Sequence, residues 1–297
     1  MPKSTHVIGP PGTGKTHWIS EQVKQAVDVH GKRKVAVCSL TRAAASEAVS
    51  RTGLDRSQVG TLHSFCYRET CSDAPIFETD GSMIRAWNDE YRSIRAWQMN
   101  KPDDNMYFQH YARHKAMMTE PLRADDIHFT EAYDDFKKQT GAIDFTDMLV
   151  RGLDLDNMPG YPYSVFIDEA QDMSRLEATV LRRWATHFRE LAIVGDPYQN
   201  LYEFRGSDAA AMLPKHILED GAIVLPQSYR IPRAVHAMAV NVIERMPGYV
   251  PVEYHPKDED GYVNTALIND VARMAAEQAD AGETVMILSP AAYQLDP

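Results

Sequence analysis

Residues Gly9, Pro10, Pro11, Gly12, Thr13, Gly14, Lys15 and Thr16 fit the pattern GxxxxGK[ST] without a mismatch. Glycines at these places let successive backbone N–H groups face one anion, and a helix opening near Lys15 adds its positive N-terminal end. Lys15 is then placed to reach the β- and γ-phosphates of a nucleotide, and the Thr16 hydroxyl to hold Mg²⁺. Farther on, the apolar run Val165-Phe166-Ile167 ends in Asp168 and Glu169. Asp168 is placed to bind Mg²⁺, usually through water, and Glu169 to polarise an attacking water. Gln199 can hydrogen-bond a γ-phosphate or that water, and Arg230 can bring positive charge to the transition state. Each has a plainer alternative: carboxylates complementing a helix dipole, a polar loop residue, an arginine in a surface ion pair. Beside a phosphate loop, the hydrolytic reading is the stronger one.

Such residues need a sheet edge to hold them together. A strand is expected over Thr5 to Ile8, a helix over about His17 to Val29 closed by Gly31, and a second strand over Val35 to Leu40. Strand, glycine loop, helix and strand make a βαβ unit with a parallel sheet. The strand pattern returns at Ser164 to Ile167, Leu191 to Val194 and Ala222 to Leu225, with a helix over Leu176 to Phe188. The first two of these runs end in acidic turns, as buried parallel strands do when ligands sit at their carboxyl edge.

Residues 71–141 read as a helical insertion. Trp87, Tyr91, Ile94 and Trp97 recur on one helical face. A base-stacking platform is one reading of that stripe, and packing into a small core is the better one. Beyond Pro232 a helix is expected over Arg233 to Met246, then a strand (Tyr262 to Leu267), a helix (Asn269 to Ala281) and a strand (Thr284 to Ser289). The expected organisation is an ATP-binding α/β domain (1–70 and 142–232), the insertion (71–141) and the start of a second α/β domain (233–297).

The chain has 297 residues, with 42 acidic and 31 basic side chains and net charge −11. That balance excludes a protein coated in positive charge but not a local basic groove. No apolar run approaches the roughly 20 residues that span a bilayer, and the start carries no apolar signal segment. A cytoplasmic setting without membrane contact is expected. Three cysteines without a CxxC pair fit a reducing compartment and small buried side chains.

Taken together, these blocks resemble the superfamily 1 DNA helicases of the UvrD, Rep and PcrA type. The phosphate loop is similar to motif I, Ser39 to Ala45 to motif Ia, and Gly60 to Phe65 to motif Ib. Asp144 to Leu149 resembles the DFxDL block, Asp168 to Asp172 (DEAQD) motif II, Gly195 to Gly206 motif III and Gln227 to Arg230 motif IV. The resemblance implies a RecA-like P-loop fold, the helical insertion as domain 1B, and a second RecA-like domain begun after Pro232. It implies ATP and Mg²⁺ as cofactors, Tyr229 stacked on adenine and Arg230 on the γ-phosphate. Thr41, Arg42, Thr61, His63, Phe204 and Arg205 would contact single-stranded DNA, with core packing the plainer alternative for Phe204.

By the same resemblance the function is an ATP-dependent 3′–5′ helicase or translocase acting at single-strand and single/double-strand junctions, in DNA repair or replication. The alternative is a DNA-stimulated ATPase or binding subunit that does not unwind. A small-molecule P-loop kinase would need neither DEAQD nor the later motifs. Three departures stand out. No glutamine occurs among Met1 to Val7, where the family reads adenine. Leu40 replaces a common aromatic. Motifs V and VI would fall beyond residue 297, so these residues alone are expected to turn over ATP poorly and not to unwind duplex.

Overall fold

A computed structural model describes residues 2–39, 52–71, 73–213 and 221–288. Among them, strands β1 (Lys3–Ile8), β2 (Val35–Cys38), β3 (Val59–Gly60), β4 (Ser164–Ile167), β5 (Glu190–Gly195) and β6 (Ile223–Val224) form one sheet in the order β3-β2-β4-β5-β1-β6. Every pairing is parallel. β2 and β4 are buried along their whole length. Covering on both faces is why they read as unbroken apolar runs rather than alternating ones. This is the α/β, RecA-like architecture expected. All strands point the same way, so the turns after β1, β4, β5 and β6 gather at one edge.

Helix α1 (Lys15–His30) covers one face, packing Ile19, Val23 and Ala26 against Val7, Val35, Val37 and Val194. It starts from Gly14 at φ 85° and ends at Gly31 at φ 81°, whose N–H bonds the Val27 carbonyl at 2.8 Å. Left-handed backbone at both ends suits glycine. The β3 strand and helix α2 (Leu62–Thr70) were not anticipated as elements. A strand of two residues gives no periodicity to read, and Thr61 marks the helix only as its N-cap, accepting from Ser64 N at 3.2 Å.

Helices α3 (Gly81–Glu90), α4 (Met106–Met117) and α5 (Ala124–Thr140) surround an aromatic core of Phe77, Trp87, Phe108, Tyr111, Phe129, Tyr133 and Phe136. The expectation of one helix carrying Trp87 through Trp97 is corrected. The helix stops at Glu90, where Tyr91 N closes on the Trp87 carbonyl at 3.0 Å. The chain then doubles back, and Trp87 Nε1 donates to the Trp97 carbonyl at 2.8 Å. The rings do cluster, with Trp87 centroids 4.2 Å from Tyr91 and 6.0 Å from Trp97, but around a turn. Trp87 is fully buried, so it packs a core and offers no platform for a base.

The chain enters and leaves this helical part side by side. Phe77 N donates to the Ile143 carbonyl at 2.8 Å and Ile143 N to the Pro75 carbonyl at 2.9 Å. Helix α6 (Phe145–Gly152) follows, capped by Asp144 and Asp147 in a reciprocal box. Buried Lys137 bonds Asp144 and Asp147, both at 2.7 Å, and Tyr111 OH at 2.8 Å. Helix α7 (Arg175–Ala185), capped by Ser174 and Glu177, joins α2 and α6 over the second face of the sheet.

Helix α8 (Arg233–Ile243) buries none of its residues, and helix α9 (Ile268–Asp280) follows it. The strands expected at 262–267 and 284–289 are not strands where described, residues 262–267 and 284–288; Ser289 lies outside the described residues. A strand needs a partner for its backbone groups, and here Leu267, Met286 and Leu288 stand exposed. Cys38, Cys66 and Cys71 are buried and unpaired. Among the described residues no helix is long and apolar enough to cross a membrane.

Candidate active site

The phosphate loop leaves the end of β1, where Gly9 N donates to the Gly195 carbonyl at 3.0 Å. Lys15 folds back over it, and its ammonium donates to the Gly9 carbonyl at 2.8 Å. A Cβ on Gly9 would lie 2.6 Å from Lys15 Cγ, so glycine there makes room for the lysine stem. Thr13 Oγ1 donates to the Pro10 carbonyl at 2.9 Å and tightens the turn. Thr16 sits one residue into α1, its hydroxyl in the helix's first turn.

The segment after β6 is bound directly onto this loop. Ser228, wholly buried, donates Oγ–H to the Pro11 carbonyl at 2.9 Å. Tyr229 N donates to the Gly12 carbonyl at 2.9 Å, and Tyr254 OH to Pro11 at 2.9 Å. Gly12 has φ 76°, and a Cβ there would lie 2.6 Å from Arg230 Cβ. The glycine thus lets Arg230 approach the loop. The Tyr229 ring and the Arg230 side chain stay exposed.

Asp168 directly follows β4 with its N–H on the Cys38 carbonyl at 2.9 Å, and its buried carboxylate accepts from Glu169 N at 3.0 Å. Glu169 holds φ 52° and ψ 44°, a left-handed conformation that favours glycine and that other residues seldom adopt. Such backbone costs about 1–3 kcal/mol and is concentrated at functional sites. Gln199 Nε2 donates to Asp196 Oδ2 at 2.6 Å, after the end of β5. Burial pushes the Asp196 carboxyl up, while the Gln199 bond and the Lys15 charge pull it down. Asp168 and Thr16 offer the hard oxygen donors that Mg²⁺ takes. No group of three His, Cys, Asp or Glu side chains that could hold a metal occurs among the described residues. A bound Mg²⁺ would therefore draw further ligands from phosphate oxygens and water.

A second cleft of about 460 Å³ opens between the helical part and the sheet domain, lined by His63, Asp103, Arg113, Asp172, Tyr202, Phe204 and Arg205 among others. Phe204 is 68% exposed, which removes the core-packing alternative. The Arg205 guanidinium stands 5.6 Å from the Phe204 ring centroid and 3.9 Å from the Asp103 carboxylate across the cleft. His63 lies half-buried, 3.7 Å from Glu177. Burial, with Glu169 and Glu177 adding to it, pushes Asp172 up to about 6, although the Leu201 N–H pulls the other way. Thr61 is engaged as a helix cap, and Thr41 and Arg42 lie outside the described residues.

Lys15, Glu169, Gln199 and Arg230 thus hang from four turns at one edge of the sheet, with His63, Phe204 and Arg205 on a neighbouring cleft. Reading the sequence did not single out Gln171, Ser228 or Tyr254. Gln171 and Ser228 lie inside motif blocks and had a signal to find; Tyr254 had none.

The family described as AAA domain matches residues 1–205 of the chain. The ATP-dependent DNA helicase PcrA of Bacillus subtilis is 22% identical over 286 residues, covering 84% of this chain and 39% of the relative. PcrA of Staphylococcus aureus is 25% identical over 269 residues, covering 78% and 37%. The chain therefore spans less than two fifths of the length of these relatives. The crystal structure of Pif1 helicase from Candida albicans covers 77% of this chain and 37% of its own, at 16% identity and a TM-score of 0.35, too loose a fit to bear on function.

Proposed function

Since the chain belongs to the AAA domain family and is a superfamily 1 helicase motor domain, we propose that it hydrolyses ATP with Mg²⁺ to drive 3′–5′ movement on single-stranded DNA and at its junctions with duplex. The observation that carries this is the gathering of the β1, β4, β5 and β6 turns at one sheet edge. Lys15 and the loop N–H groups bind the phosphates. Thr16 and Asp168 would hold Mg²⁺, which would supply positive charge against the nucleotide phosphates. Glu169 orients water and takes its proton, Gln199 bonds the γ-phosphate or that water, and Arg230 faces the γ-phosphate from the β6 side. Tyr229 stacks on the base of the nucleotide.

In the same reading the division into 1–70 with 142–232, 71–141 and 233–297 separates a motor domain, its insertion and a second domain. The exposed Phe204 beside Arg205 supports a base-stacking role, worth about 1–3 kcal/mol per base without regard to sequence. His63 and Thr61, with Thr41 and Arg42, contact the strand from the other side of that track.

The test is ATP turnover with and without single-stranded DNA. Turnover is expected to rise on adding DNA of any sequence, and Lys15→Ala to abolish it in a folded protein. Undiminished turnover in that variant sinks the assignment of the phosphate loop. DNA affinity is expected to fall steeply as salt rises, because phosphate contacts release counterions. A salt-independent affinity, or strong preference for one sequence, counts against the DNA reading. Strand displacement on a duplex with a single-stranded tail rules out the non-unwinding ATPase.

A further inference from the structure

Between the water-activating carboxylate and the γ-phosphate-facing loop lies a side chain with no assigned part. Gln171 is 2% exposed. Its Nε2 donates to Glu169 Oε2 at 2.8 Å, and its Oε1 accepts from Asp196 N at 3.0 Å. The orientation of that amide is fixed by its partners. Reversed, it would set an NH₂ against an N–H and an oxygen against a carboxylate. Asp196 in turn accepts from Gln199 at 2.6 Å. One hydrogen-bonded chain therefore runs from Glu169 through Gln171 and Asp196 to Gln199.

Two further features serve this contact. Glu169 turns left-handed, and its carboxylate comes within reach of the residue two places on. Gly195 ends β5 without a side chain, and a Cβ there would sit 2.5 Å from Gln171 Oε1. The glycine leaves the space that the amide fills.

We propose that Gln171 is a positioning residue for hydrolysis: it holds the Glu169 carboxylate in register with the Asp196–Gln199 turn, so that the attacking water and the γ-phosphate are addressed by one rigid unit. The inference rests on the reading of Glu169 as the water-activating base. It assigns Gln171 no contact with nucleotide. Its loss should lower kcat and leave KM for ATP alone, because a misplaced base weakens the transition state and not ground-state binding.

Two variants test it. Gln171→Leu removes both bonds at similar volume and is expected to lower kcat at least tenfold, with KM for ATP within about twofold of the wild type. Gln171→Glu keeps an acceptor for Asp196 N but loses the donor to Glu169 at neutral pH. It breaks the link to Glu169 while sparing the one to Asp196, and is expected to lower kcat with KM for ATP within about twofold of the wild type.

A merely structural role would raise KM along with lowering kcat and would not produce that split. Wild-type turnover by Gln171→Glu overturns the inference while leaving the parent reading intact. So does a loss of kcat matched by an equal rise in KM. Absence of turnover in the unsubstituted protein, or full turnover in Glu169→Gln, overturns the parent reading and this inference with it.

Discussion

Glu169→Gln is expected to lower ATP turnover by about 10²–10⁴ while leaving nucleotide binding in place. The amide keeps the shape of the side chain and can still accept the Gln171 Nε2–H that now reaches Glu169 at 2.8 Å. It carries no charge to polarise water and cannot take up its proton. The left-handed backbone at φ 52° is imposed by the turn between β4 and Ala170, not by the carboxylate, so the variant should fold as the parent does. Lys15, the loop N–H groups and Asp168, the groups proposed to bind the phosphates and metal, all remain. The measurement pairs steady-state turnover with the affinity for a fluorescent ATP analogue. A parallel fall in affinity would move Glu169 from base to ligand. Turnover within a few-fold of the wild type would mean that another group activates the water.

The contrast between Glu169 and Gln171 shows where the sequence speaks. Asp168 and Glu169 stand at the end of an apolar run, so a strand carrying carboxylates to a sheet edge could be read directly. The same logic found Lys15, Gln199 and Arg230, and gave the parallel α/β sheet. Gln171 is four residues beyond the strand, and its partner Asp196 directly follows another one. Nothing local says that they meet; only the β4–β5 pairing brings them together. Tyr254 on the phosphate loop is hidden for the same reason, since its partner Pro11 lies 243 residues away.

Where the reading failed, the cause was local pattern without a global partner. The 262–267 and 284–288 runs have strand-like composition, but no described strand lies beside them to take their hydrogen bonds. Trp87 to Trp97 has helical spacing, yet Tyr91 to Ile94 turns, because the Trp97 carbonyl satisfies the Trp87 indole N–H inside the aromatic core. Phe204 went the other way. The resemblance set a DNA contact against core packing for it, and the structure exposes it.

The largest pH effect on stability is expected from Glu78, where the chain crosses into the helical part. Glu78 Oε1 accepts from Phe145 N at 2.9 Å, while Oε2 is buried with no hydrogen-bond partner among the described residues. Burial, and then the negative charge of Asp144, push its carboxyl up to about 8; the Phe145 N–H and Lys137 pull only weakly the other way. Lys137 cannot do more, because it already serves Asp144, Asp147 and Tyr111. The folded protein therefore keeps a proton that the unfolded chain releases near 4.5.

The sign follows from that difference. Below about pH 4.5 both states hold the proton and Glu78 is neutral in the balance. As pH rises from there toward 8 the unfolded state gains, so stability falls, and above 8 the loss levels off. At about 1.4 kcal/mol per unit, the total is on the order of a few kcal/mol. Glu78→Gln mimics the protonated acid, with an oxygen for Phe145 N and no charge to bury. It is expected to be more stable than the wild type at pH 8, with the difference shrinking toward zero at pH 5. Urea unfolding of both proteins across that range gives the difference curve, in which titrations common to both cancel. A flat curve, or one that favours the wild type as pH rises, would show that the buried carboxyl is already ionised and that another group supplies the missing partner of Oε2.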